Sequence, residues 1–137
     1  MIALVLAAGA QAASAAPASA TNPAPHVCPA GLHPATTAEL FFGRSDGQEL
    51  AVSDDDWATF VSEEVTPRFP DGLTVSDVYG QWHGDKGFVR EPSKALFVVI
   101  THDYDDQVNL SYVREAYKQR FNQQSVLLVE APACVAF

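Results

Sequence analysis

Ala95-Leu96-Phe97-Val98-Val99-Ile100 is apolar at every position, with Arg90-Glu91-Pro92-Ser93-Lys94 before it and Thr101-His102-Asp103 after it. As a strand the run shows an apolar surface on both alternating sides, so it belongs in the middle of a sheet with both faces covered. The rest of the chain has to supply flanking strands and cover.

The flanking segments read as follows. Ala38 to Arg44 is a short aromatic-rich strand, ended by the turn-prone Ser45-Asp46-Gly47. Ser53 can cap a helix, with Asp54, Asp55 and Asp56 in its positive first turn and Val52 and Trp57 placed as a hydrophobic staple. Trp57, Phe60, Val61 and Val65 then follow helical spacing, until Pro67 and Pro70-Asp71-Gly72 stop the helix. Leu73 to Trp82 is a second strand and Lys94 to Thr101 a third, with Gly84-Asp85-Lys86-Gly87 as the turn of a long hairpin. Leu110, Val113, Tyr117 and Phe121 make one face of a second helix, and Ser125 to Ala131 is the last strand.

The order β-α-β-β-α-β is the ferredoxin-like plan, an α+β fold. It predicts a four-stranded antiparallel sheet in the order 4-1-3-2 with two helices on one face. The other face has no helix, yet the third strand is apolar there too. A second copy packed sheet to sheet, forming a homodimer through the open face, is the expected cover, followed by the N-terminal segment.

Residues 1–20 carry an apolar stretch from Ile2 to Ala10 and then small residues in A-x-A steps, the layout of a secretory signal peptide, without its basic start. Residues 21–37 read as an Ala/Pro-rich linker, and residues 38–137 as the single folded domain, with order beginning at Ala38. The alternative for the first segment is a disordered Ala/Pro tail. Export predicts an oxidising compartment, the periplasm or the exterior, and a disulfide between Cys28 and Cys134. The plan brings the start of the first strand beside the end of the last, so the two cysteines fall within bridging range. The other reading is two buried free thiols. A lipid anchor is not expected, because His26-Val27 ahead of Cys28 lacks the small residue such processing prefers. No stable membrane insertion is expected once the signal is cleaved.

A net charge of −9, with no Lys/Arg cluster, opposes binding to nucleic acid or to anionic lipid. No phosphate loop, nucleophile elbow, HExxH or CxxC is present, and no cofactor or metal is expected. His102-Asp103-Tyr104-Asp105-Asp106 departs from an EF-hand loop, with Gln107 and Val113 where Gly and Glu belong; it reads as a solvated cap of the second helix. The fold plan gathers Arg44, Gln81, Trp82, His83, Arg90, Glu91, Lys94 and Gln124 at one sheet end. Arginines beside an indole suit a carboxylate or planar anion. The plainer alternative is that Arg90 and Lys94 pair with Glu91 and Asp85 across the hairpin, with Trp82 in the core or at a dimer contact.

GRSDG, VSDDDWATFVSEEVTPRFPDGLTV, GQW, REPSK and YKQRFNQQSVL together resemble a bacterial exported family, domain-of-unknown-function family 3574, over Ala38 to Phe137. The resemblance implies export and a small α+β domain, but no known activity. Its recurrent polar positions stand here as Arg44, Gln81, Trp82, Glu91, Ser93, Lys94, Tyr117, Arg120 and Gln124. Three functional readings follow. The first is a domain that binds a small anionic ligand or a partner through Arg44, Gln81, Trp82, Arg90, Glu91, Lys94 and Gln124. The second is a small-molecule enzyme of the dimeric α+β barrel type, with His83, His102, Tyr79 or Glu91 moving the proton. The third is a structural envelope role.

Overall fold

The computed structural model describes residues 27–46, 49–84 and 87–137. The expected signal peptide lies outside these residues, as do Asp85 and Lys86 of the hairpin turn. Strand β1 runs His33–Gly43, and a small ribbon follows it, β2 (Ser45–Asp46) with β3 (Glu49–Leu50). Helix α1 (Asp54–Phe60) continues through a wide π turn over Val61–Val65 and a tight turn over Thr66–Arg68. Strands β4 (Thr74–Gly84) and β5 (Gly87–Ile100), helix α2 (Asp103–Phe121) and strand β6 (Leu127–Val135) complete the chain. The main sheet is antiparallel in the order β4-β5-β1-β6, so the expected α+β, ferredoxin-like plan holds.

Three boundaries differ from the sequence expectation. β1 begins at His33 rather than Ala38, because Thr36 and Thr37 pair with Ile100 and Val99 of β5 while His33 to Thr37 pair with Val135 to Ala131 of β6. Backbone pairing on both sides, not an apolar pattern, makes that stretch a strand. β6 runs on through Pro132 to Val135 for the same reason. β5 begins at Gly87 rather than Lys94. Pro92 is tolerated there because β1 leaves β5 after the Gly43–Ser93 pair, so a missing N–H on that side breaks no ladder. The ribbon β2–β3 was also unforeseen, since two-residue strands leave no periodicity to read.

Helix α1 starts as its sequence dictates. Ser53 Oγ accepts from the Asp56 N–H at 3.1 Å, and Asp56 Oδ2 accepts from the Ser53 N–H at 3.1 Å, a complete capping box. That hydrogen bonding holds the Asp56 carboxyl below its usual range. Val52 and Trp57, the staple pair, are both buried. Helix α2 is capped by Asp106, whose Oδ2 accepts from the Thr101 and His102 N–H groups at 2.9 Å each. It ends on Asn122 in the left-handed conformation, φ 51°.

The core lies between the helices and one sheet face. Ala38, Leu40 and Phe42 of β1 and Leu96, Val98 and Ile100 of β5 meet Trp57, Phe60, Leu110, Val113 and Tyr117. Phe42 packs on Tyr117 and Trp57 with ring centroids 4.8 and 5.0 Å apart, both within the favourable range for aromatic pairs. The alternate residues make the other face, where Phe97, Trp82, Leu127 and Val129 are at least 41% exposed. No described element covers them. Cys28 and Cys134 form a disulfide with Cα atoms 5.6 Å apart, tying the lead into β1 to the end of β6.

Candidate functional site

The residues singled out in the sequence do converge on the β1 end of the sheet, but they divide into three groups by which way each strand position points. Arg44 and Lys94 turn to the helix side, and both are buried. Arg44 Nε donates to Val52 O at 2.8 Å, and its guanidinium meets Asp54 Oδ1 at 3.1 Å. Lys94 Nζ meets the same Asp54 oxygen at 2.8 Å and also bonds Asp77, its cross-strand neighbour on β4. Hydrogen bonding from Lys94, with the Arg44 charge added, holds Asp54 below its usual carboxylate range. The same carboxylates push Lys94 above the usual range for an amine. Two buried cations between two carboxylates form a closed structural network. They are not available to a ligand.

Glu91 and Trp82 form the second group, on the opposite sheet face. The buried Glu91 carboxylate accepts from Trp82 Nε1 at 2.9 Å and from the Ser45 backbone N–H at 3.0 Å. It lies over Gly43: a Cβ there would come within 2.6 Å of Glu91 Oε1, so any larger residue would have to push the Glu91 carboxylate aside. On the far side of Gly43, Tyr117 Oη donates to the Gly43 carbonyl at 2.8 Å. Burial, ahead of every charge around it, pushes the Tyr117 hydroxyl far above its ordinary value and keeps it a donor.

The third group sits where the β4–β5 hairpin projects past β1. Gln81 and Arg90 are direct cross-strand partners, and with Tyr79 and Phe88 they line an open concavity of about 580 Å³. Tyr79 is 70% and Phe88 74% exposed, which is unusual for rings of this size. Among the described residues no carboxylate pairs with Arg90; Arg44, Arg68 and Arg120 each have one, and Arg114, which has none, donates to the Val126 carbonyl at 3.1 Å. Glu91 cannot serve, because successive strand residues point to opposite faces.

The remaining candidates fall elsewhere. His83 stands edge-on to Phe88, centroids 5.2 Å apart, beside the concavity. His102 is at the other sheet end, 3.5 Å from Asp71. Gln124 is exposed, and its neighbour Gln123 makes the contacts, to Ser45 O at 3.2 Å and Phe121 O at 3.3 Å. Sequence reasoning passed over Phe88, which has no apolar neighbour at strand spacing, and the counter-ions Asp54 and Asp77. Hairpin register alone would have paired Asp77 with Lys94 and Gln81 with Arg90.

A family model described as "Protein of unknown function (DUF3574)" matches residues 37–137. The chain belongs to that family. Two solved structures of a phage SAM lyase are similar to this DUF3574 chain in fold. The apo state has a TM-score of 0.55 at 14% identity, covering 76% of this chain and 90% of that one. The complex with S-methyl-5'-thioadenosine has a TM-score of 0.59 at 12% identity, covering 83% and 96%. Identities this low bear on the fold alone. No curated protein matches the DUF3574 chain. Among its described residues no helix is long and apolar enough to cross a membrane.

Proposed function

We propose that the protein is an exported domain that binds a small planar anion in the hairpin concavity. One observation carries this reading: Arg90 stands beside the exposed rings of Tyr79 and Phe88 with no carboxylate partner among the described residues, in a chain of net charge −9. The guanidinium offers a forked set of donors, the rings offer flat apolar surface, and the Gln81 amide offers one further donor and acceptor. The ligand-binding set is thus Arg90 and Gln81 with Tyr79 and Phe88. Arg44, Lys94, Trp82 and Glu91 support the hairpin from its root. Export is supported by the signal-like residues 1–20 and by a disulfide of the kind that persists in oxidising compartments.

Calorimetric titration with benzoate and adenosine 5'-monophosphate, beside uncharged benzamide and adenosine, tests the site. The anions should bind about tenfold or more tightly than their uncharged counterparts, in line with roughly 1.5–3 kcal/mol for a charged hydrogen bond. Arg90→Ala should erase that preference with an unchanged melting temperature. A preference that survives Arg90→Ala, or no binding of any probe, refutes the reading.

A second reading, a small-molecule enzyme, has its own support in Glu91. Among the described residues its buried carboxylate is held by two N–H donors and no cation, a form suited to proton transfer beside the exposed Trp82. The fold likeness to the SAM lyase makes SAM the first substrate to try. Formation of S-methyl-5'-thioadenosine that Glu91→Gln abolishes would favour it; an inert protein would leave Glu91 as the brace between Trp82 and Ser45.

A further inference from the structure

The two outer strands of the sheet are finished differently. β6 carries Pro132, its Glu130 is bonded by Gln107 of α2, and the Cys28–Cys134 bridge holds the chain lead against its end. Proline, charge and covering chain are the usual means of blocking an outer strand. β4 has none of these over its eleven residues. It contains no proline, no lysine and no arginine, and its one carboxylate, Asp77, is engaged by Lys94 of the same chain. Its outer N–H and C=O groups meet no partner among the described residues. An outer strand of this length with its edge unpaired is a template for another strand.

We infer that β4 pairs antiparallel with β4 of a second copy, joining the two sheets across a two-fold axis near Tyr79. The strand is complementary to itself in that register. Val78 comes opposite Gly80 of the second copy, and Trp82 opposite its Ser76, so a large side chain meets a small one at each step on the open face. Asp77 comes opposite Gln81 of the second copy on the helix side, so no like charges face each other. Directly opposed residues share a face in an antiparallel pair, which keeps each of these contacts on one side of the sheet. A chain of net charge −9 can approach a copy of itself here because the edge adds no uncompensated charge. This edge contact differs from a sheet-to-sheet contact through the open face, which would leave β4 unpaired. Since Tyr79 and Gln81 line the concavity, the two concavities merge across the axis into one cleft with an Arg90 on either side. The merged cleft rests on the binding reading above; the strand pairing does not.

Sedimentation velocity on the unliganded full chain tests the pairing, so failure of ligand binding leaves the result intact. The wild type should sediment as a dimer. Tyr79→Lys, which sets two ammonium groups against each other at an exposed position, should raise the dissociation constant about tenfold or more with an unchanged circular dichroism spectrum. Opposed Cα atoms in such a pair stand about 4.5–5.5 Å apart, within disulfide reach. Tyr79→Cys should therefore cross-link into a covalent dimer under mild oxidation. A monomeric wild type overturns the inference. So does a dimer that survives Tyr79→Lys and fails to cross-link through Tyr79→Cys.

Discussion

Side chains at the root of the hairpin are chosen by what lies on either side of one backbone segment, Gly43 to Ser45. Tyr117 holds it from the helix side and Glu91 from the sheet side. Tyr117→Phe leaves the Gly43 carbonyl without its donor and should cost about 1–3 kcal/mol in urea unfolding. Gly43→Ala drives a methyl group into the Glu91 carboxylate, so it should release Trp82 and shift its fluorescence while the core aromatics stay in place. Asp54 and Lys94 set opposite limbs of the pH profile. Asp54 titrates below its ordinary 3.8, so its contribution is full above about pH 4 and disappears as the pH falls through the lowered value. Lys94 titrates above its ordinary 10.5, so its contribution is full below that pH and is lost as the pH rises through the raised value. Thermal midpoints measured from pH 2 to 12 should fall at both ends, and Asp54→Asn should flatten the acid limb. An acid limb unchanged in Asp54→Asn would show that other carboxylates control it. None of these pairings could be read from the sequence, because Arg44, Asp54 and Lys94 meet only after three elements have packed.

At the scale of elements, the sequence was most legible where local chemistry and burial agree. The Ser53–Asp56 box, the Val52–Trp57 staple and the apolar stripe of α2 stand where spacing placed them. Trp57→Ala should cost about 3–5 kcal/mol, since the indole fills the space between Phe42 and Phe60. Legibility failed where backbone pairing alone makes the structure. His33 to Thr37 and Gly87 to Ser93 have no alternating apolar pattern, yet both are strands because neighbours on the sheet claim their N–H and C=O groups. The candidate site suffered from the same blindness. Residues adjacent along the chain share a sheet end, whereas strand alternation sends Arg90 to one face and Glu91 to the other. Extending the hairpin from its Gly84–Gly87 closure would have sorted them, because register then fixes the face of every residue.

For the whole molecule, one covalent link and one uncovered surface dominate. The Cys28–Cys134 bridge spans a sequence separation of 106, for which loop-closure entropy gives about 4 to 5 kcal/mol. Reduction should lower stability by that order and add the mass of about two hydrogens; a reduced protein as stable as the oxidised one would place the stabilisation elsewhere. The open sheet face meets the bare edge of β4 along the hairpin, and on the helix side of the same hairpin Arg90, which has no carboxylate partner among the described residues, stands with the exposed rings of Tyr79 and Phe88. Native mass spectrometry of the protein recovered from its own host, beside Arg90→Ala prepared the same way, tests the binding role most directly. Wild-type protein should carry a small anionic molecule that the variant lacks, and the added mass would name its class. Wild-type and variant protein that are equally empty, or that carry the same adduct, would contradict a binding site at Arg90.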